Sequence, residues 1–504
     1  MNLTLEQESI INTKESSFKI NAVAGSGKTT TLLLYAQKKS NLKILYLAYN
    51  KSLQISLQEK LKNYNLPNLS ISTIHSLAYN KIGAYNYKLT NELKTYVLEK
   101  VLIKYELTTN QKSYYPSVEY LSLLKDLVNF YCNCALIQID TKLLENYKKQ
   151  CDLSAKILEI LIKNEKKILK HTKAILSAMK NKTIAVTHDF YLKMFYLNKQ
   201  ISTNLGYDLI LIDEAQDISD VMIAIIENQN CKRVYVGDSF QQIYSFRYAI
   251  NALNKIDLPN FYLSKSFRFS NSYAKTLESL LNNLYTINET QTLNLNGIST
   301  NTKIGEECID LSKPFCVIAR TTFGLVQELV KYIHDKKKIY FEGGYNTYSF
   351  MNQIVYSIFY LKQRKNDKIT VDEIKRFDSI YELEVFAKDT KNQDYLNIIK
   401  FINTYKDNIF EINKKIKSLL VSKKEEADII FTTAHKAKGL EYEQVLMVDD
   451  FITKKDILNK KNPLSFQRIN EELNIYYVAA TRVKNAIKLA NLHLDYNYNK
   501  EENQ

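Results

Sequence analysis

The chain has 504 residues, enough for several domains that each bury their own core. Its 69 Lys and Arg against 54 Asp and Glu leave a net +15, which suits a polyanionic partner; 37 Tyr, no Trp and abundant Asn, Ile and Lys also follow from AT-rich coding, so charge alone assigns none. No apolar run reaches the roughly 20 residues of a membrane span, and the start M-N-L-T-L-E-Q-E lacks a basic stretch followed by an apolar one, so a soluble chain with no membrane role is expected.

The first readable element is Phe18 to Ala22, an apolar-leaning strand followed by A-V-A-G-S-G-K-T (Ala22 to Thr29) and the helix-like T-T-L-L-L-Y-A. A glycine-rich turn at a helix N-terminus aims backbone N–H groups and the positive end of the helix dipole at an anion, which suits a β-phosphate. Gly25 and Gly27 would let the backbone approach, Lys28 would neutralise the β- and γ-oxygens, and the Thr29 hydroxyl would join a Mg²⁺ shell. Ala24, Ser26 and Thr30 complete this expected ATP-binding turn, although Ala22 stands where the full phosphate-loop pattern asks for Gly.

Lys43 to Ala48 reads as the next strand, and a helical segment follows from about Lys81 to Lys182. Within it Ile157, Leu161, Ile168, Ile175 and Met179 recur at helical spacing, a stripe expected to face a core while the lysines between them stay solvated. Cys132 and Cys134 lie there too; the six cysteines lack paired C-x-x-C spacing, so buried free thiols are expected rather than a zinc site.

Leu209 to Asp217 reads L-I-L-I-D-E-A-Q-D, a buried parallel strand ending in acids. Asp213 is placed to hold Mg²⁺ and Glu214 to polarise a water, which with the glycine-rich turn describes a nucleoside triphosphatase. Arg233 to Val236 adds a strand to the same doubly wound sheet. A second set, Phe261 to Leu263, Phe315 to Ala319, Ile339 to Glu342, Ile429 to Thr432, Gln444 to Val448 and Ala486 to Ala490, predicts another α/β domain, interrupted by a helical region at roughly Thr347 to Lys424.

The order of these motifs resembles superfamily 1 helicases of the UvrD/Rep/PcrA type across nearly the whole chain. The resemblance rests on Gln7 in L-T-L-E-Q-E-S-I-I, Y-L-A-Y-N-K-S-L, I-S-T-I-H-S-L-A-Y, V-G-D-S-F-Q-Q-I-Y-S-F-R, L-S-K-S-F-R, T-T-A-H-K-A-K-G-L-E and Y-V-A-A-T-R. Within that group the chain looks most like the F-box DNA helicases and their shorter bacterial relatives, through T-H-D-F-Y-L-K, I-A-R-T and F-E-G-G; an F-box itself is not expected, since Gln7 stands almost at the start. Tyr49, where many such proteins have a small residue, and Gln242, in place of Ser, depart from the pattern without removing a catalytic group.

The resemblance implies two RecA-like P-loop domains with helical insertions: 1A over 1–80 and 183–255, 1B over 81–182, 2A over 256–345 and 425–504, and a small 2B over 346–424. It implies that Gln7 reads adenine, Phe267 stacks on it, Glu441 accepts from ribose, Gln241 senses the γ-phosphate, and Arg268 and Arg482 act as arginine fingers beside Lys28, Thr29, Asp213 and Glu214. It assigns DNA contact to Tyr49, Asn50, Lys51, Thr73, His75, Tyr244, Phe246, Arg247 and His435, with Mg²⁺-ATP as fuel and single-stranded or 3′-tailed DNA as track. Partners in repair, recombination or defence are implied, in the cytoplasm beside the nucleoid or in a nucleus. Three readings stay open: a 3′–5′ helicase or translocase, a DNA-activated ATPase switch within a recombination or phage-defence complex, and a metabolic P-loop enzyme, the last at odds with the second domain's arginines.

Overall fold

The computed structural model describes residues 3–110, 116–285, 292–299, 301–348, 350, 352–459 and 464–491. Strands β1 (Phe18–Ala22), β2 (Ile44–Leu47), β3 (Leu69–Ser72), β4 (Leu209–Ile212), β5 (Lys232–Gly237) and β6 (Asn260–Leu263) form one sheet in the order β3-β2-β4-β5-β1-β6. All its pairings are parallel. Because side chains alternate across a strand, Leu209 and Leu211 pack on one face with Leu32 and Tyr46, while Ile210 and Ile212 pack on the other with Leu192 and Val221. The centre of the sheet is therefore buried on both sides, and β2 and β4 read as continuous apolar runs.

After β7 (Lys265–Ser266), which pairs with β8 (Asn296–Gly297), a second parallel sheet forms from β9 (Lys303–Ile304), β10 (Phe315–Ala319), β11 (Ile339–Phe341), β12 (Ile429–Thr433), β13 (Tyr442–Met447) and β14 (Val483–Lys488). Its order is β11-β12-β10-β13-β14-β9, again parallel throughout. Phe315, Val317 and Ala319 face one core, and Cys316 and Ile318 the other.

One expectation is corrected. Phe261 to Leu263, read with the second set of strands, belongs to the first sheet, where Lys19 to Ala22 pair with Asn260 to Leu263. The first sheet thus extends past residue 255. The reason is that an edge strand has one neighbour and a mixed exposure pattern, so nothing in its own sequence says which sheet it closes.

The long crossover from β3 to β4 holds helices Thr95–Asn110, Val118–Asn133, Thr141–Gln150, Ala155–Lys163 and Glu165–Lys180, which enclose a core of their own. Ile157, Leu161, Ile168, Ile175 and Met179 all point into it, although the helix pair breaks at Asn164 instead of running through. Cys132 and Cys134 are buried there. The crossover from β11 to β12 carries helices Gln353–Lys362, Ile380–Asp389, Gln393–Tyr405 and Ile409–Leu419, which share the core on one face of the second sheet. The two helical insertions meet, through Arg376 with Glu99 and Lys391 with Asp152. No described helix is long and apolar enough to cross a membrane.

Candidate active site

The C-terminal ends of β1, β4 and β5 open toward one cleft, the usual place for a ligand in an open parallel sheet. The turn after β1 caps the helix Lys28–Gln37, whose N-cap Gly27 is left-handed. Gly25 and Gly27 have φ of +73° and +78°, and a Cβ on either would lie 2.7 Å from Ser266 Oγ or 2.9 Å from Gln7 Nε2. Only glycine meets both demands, of backbone sign and of space. The Gln7 amide reaches Ser26 O at 3.4 Å, and the Phe267 ring lies 3.7 Å from where a Gly27 Cβ would be, so Gln7 and Phe267 flank the turn.

At the tip of β4, Asp213 is buried and accepts from the Tyr46 hydroxyl at 2.7 Å and from the Glu214 N–H at 2.9 Å. Burial raises its carboxyl above the ordinary value and Glu214 adds repulsion. Glu214 sits at φ 53°, an unusual backbone for a glutamate, and accepts from the Gln216 side chain. Burial pushes Glu214 up, but Lys28, Lys438, Gln216 and Arg482 outweigh it and hold the carboxyl below its ordinary value. Two adjacent carboxyls are thus pushed in opposite directions, Asp213 by burial and Glu214 by the cations around it. The Thr29 hydroxyl lies beside the Tyr46 hydroxyl, and Lys28 Nζ reaches Val23 O at 3.4 Å.

The second sheet supplies the other wall. Arg482 is 1% exposed and donates to Val478 O at 2.8 Å, Thr481 Oγ1 at 3.0 Å, Leu440 O at 3.2 Å and Gln241 Oε1 at 3.4 Å. Burial and the neighbouring Arg268 push its guanidinium down to about 9. Arg268 donates to Thr481 O at 2.7 Å and pairs with Glu441 at 3.2 Å, so Glu441 is engaged with Arg268 and Lys484. Two like charges side by side against the Gly25–Gly27 turn would favour an anion between them. Gln241 donates to Asp238 Oδ2 at 2.6 Å, and the Phe267 N–H donates to Gly25 O at 2.9 Å, closing the two walls on each other.

The donor set fits Mg²⁺ with a nucleoside triphosphate. A buried, raised carboxylate beside the Thr29 hydroxyl offers hard oxygen ligands, and Lys28, Arg268 and Arg482 offer the countercharge to phosphates.

Beyond this cleft, a row of rings crosses the gap between the two sheets. Tyr49 stacks on Tyr244 at 5.8 Å, Tyr244 meets Phe246 at 5.9 Å, and Phe246 meets His435 at 5.8 Å. Arg247 lies over the Tyr244 and Phe246 rings, both at 5.8 Å. Phe246 is 61% exposed, whereas Tyr244 is half-buried and its hydroxyl donates to His435 O at 3.2 Å. Burial pushes the His435 imidazole down to about 4, leaving it neutral at physiological pH. Asn50 and Thr73 cap the helices Lys51–Leu61 and Ile74–Ile82, Lys51 reaches Gln54 at 3.4 Å, and His75 meets Asp189 at 3.2 Å.

Several members of the cleft lie inside the motif strings without a role assigned from the sequence. Tyr46 orients Asp213 from inside an apolar strand; Tyr477 accepts from the Ala24 N–H at 3.1 Å and donates to Asp238 at 3.2 Å. Lys438 binds Asp217 and donates to Gln241 O at 2.5 Å.

Residues 3–257 match the UvrD/REP helicase N-terminal domain. The chain is 28% identical over 520 residues to F-box DNA helicase 1 of Gallus gallus, covering 97% of this chain and 49% of that one. It is 28% identical over 523 residues to F-box DNA helicase protein 1 of Schizosaccharomyces pombe, covering 97% and 57%. It thus spans about half the length of these relatives. With half the chain matched and the phosphate turn, acidic strand tip and facing arginines assembled in one cleft, this protein belongs to the UvrD/REP helicase family.

Proposed function

We propose that this chain is an ATP-driven DNA helicase or translocase that moves 3′ to 5′ along single-stranded DNA. In this reading the first sheet is RecA-like domain 1A, now running to Leu263, and the second is RecA-like domain 2A. The helical insertions at 81–182 and 346–424 are 1B and 2B. The observation that carries it is the split site: Lys28, Thr29, Asp213 and Glu214 on one wall face Arg268 and Arg482 on the other. Such a site completes its charge only when the walls close, which couples turnover to movement.

Asp213 and Thr29 would hold Mg²⁺, which when bound supplies countercharge to the phosphates, and Glu214 would take the proton from an attacking water. Gln241 orients the γ-phosphate, Gln7 and Phe267 hold the base, and Glu441 takes the ribose once Arg268 turns to phosphate. Phe246 and Arg247, with Tyr49, Tyr244 and His435 behind them, offer a stacking platform. Asn50, Lys51, Thr73 and His75 carry the backbone of the strand at two helix N-termini. The relatives' names support DNA as the track.

The test is ATP turnover with and without oligo(dT), then strand displacement on 3′- and 5′-tailed duplexes. Stimulated turnover with displacement from the 3′ tail is expected. Stimulation without movement would make the chain a DNA-activated switch, and indifference to DNA would end the helicase reading.

A further inference from the structure

The segment that joins the nucleotide cleft to the ring platform is anchored at both ends. Gln241 meets Arg482, Ile243 is fully buried in the core of the second sheet, and the chain then rises to the exposed Phe246 and Arg247. Its far end is Tyr248, whose backbone is left-handed at φ 58° and ψ 27°, a conformation that a bulky side chain seldom adopts. Its N–H closes the turn on Ser245 O at 2.8 Å.

What holds Tyr248 there is the first helical insertion. Its ring meets Phe130 edge-on at 5.4 Å and packs against the insertion's core. Its hydroxyl donates to the Asp126 carboxylate, and lies 3.0 Å from Asp126 O. Asp126 belongs to the helix Val118–Asn133, and its other oxygen accepts from Tyr147 at 2.5 Å, so the acceptor is fixed before Tyr248 arrives. A left-handed residue persists where surrounding contacts over-determine it, and the contacts here come from a different part of the fold.

We propose that Tyr248 is a positioning residue: its hydroxyl, held by Asp126 of the first insertion, fixes the Tyr244–Arg247 turn in the geometry that receives a base of single-stranded DNA. The platform is then shared between the motor core and the insertion, and DNA capture depends on both. This rests on the DNA reading given under Proposed function.

The experiment measures ATP turnover of the full chain against oligo(dT) concentration for wild type, Tyr248→Phe, Asp126→Asn and the double variant, alongside thermal melts. Each single variant should raise the half-stimulating concentration by about tenfold, the scale of one hydrogen bond to a charged acceptor, with turnover at saturating oligo(dT) preserved. The double variant should lose less than the two single losses added, because both weaken the Tyr248–Asp126 contact while Asp126→Asn alone also alters the bond from Tyr147. An unshifted half-stimulating concentration in Tyr248→Phe, or additive losses in the double variant, overturns the proposal while leaving the helicase reading intact. A shift that tracks a lowered melting temperature and also lowers saturated turnover makes Tyr248 merely structural and overturns it too. If wild type itself ignores oligo(dT), the DNA reading fails and this proposal falls with it.

Discussion

Lys438, from the second sheet, forms an ion pair with Asp217, at the end of the acidic strand tip of the first, and the Asp217 side chain is wholly buried. The same ammonium donates to Gln241 O and lies 5.0 Å from the centre of the Tyr244 ring. One cation therefore touches the acidic tip, Gln241 and the Tyr244 ring, and removing it leaves the buried Asp217 carboxyl with Gln216 as its remaining side-chain partner.

Lys438→Met should therefore cost about 3 kcal/mol of stability, the scale of a broken buried pair, with Asp217→Asn in the same chain restoring most of it. Denaturant unfolding of the two variants checks this; an Asp217→Asn, Lys438→Met chain as weak as the single variant would contradict it.

That carboxylate also sets a pH dependence. Burial pushes Asp217 up to about 7 even though Lys438 opposes the shift, while the unfolded carboxyl ionises near 3.8. Between those values the folded chain holds one more proton than the unfolded chain, so this group's contribution to stability is greatest below about pH 4 and falls as pH rises to 7. Denaturant midpoints at pH 5 and 7.5 should differ less in the Asp217→Asn, Lys438→Met chain than in wild type.

Lys28 and Glu214 should fail in different ways. Lys28→Ala should weaken nucleotide binding as well as turnover, whereas Glu214→Gln should keep Mg²⁺-ATP and lose hydrolysis by about 10²-fold or more. Fluorescent-nucleotide binding beside phosphate release separates the two, and near-normal turnover in Glu214→Gln would remove it as the base.

Arginine fingers stabilise charge that develops in the transition state, so Arg268→Ala and Arg482→Ala should lower kcat by about 10³-fold with a modest change in KM. Since Arg482 is buried among Val478, Leu440 and Gln241, its variant also needs a melt to show that it folds. Normal DNA-stimulated turnover in both would break the split-site reading.

Phe246→Ala should leave the melt unchanged, because the ring is mostly exposed, and should weaken oligo(dT) binding by about 1–3 kcal/mol with little dependence on base. Tyr244→Ala should lower the melt, because that ring stacks on Tyr49 and bonds His435 O. Anisotropy titrations and melts on both variants distinguish platform from packing.

How much of this was legible in the sequence follows from how local each signal is. β1 and β10 stand where apolar runs place them, and β4, Leu209–Ile212, is the apolar part of L-I-L-I-D-E-A-Q-D. β3, L-S-I-S, was missed because its serines give no continuous apolar run, and β6 was assigned to the wrong sheet because pairing is non-local. Lys28, Asp213 and Glu214 announce themselves through glycines and acids at fixed spacing. Tyr46, Tyr477 and Lys438 do not: a tyrosine in a strand or a lysine in a lysine-rich chain gains its role only from what faces it across the cleft.

Among the described residues the backbone passes between the two sheets once, at Ser264, between β6 and β7. Glu6 grips that serine twice, accepting from its N–H at 2.9 Å and its hydroxyl at 2.7 Å. Every other described contact between the two sheets is non-covalent, so this serine is the one place where the backbone itself sets their spacing.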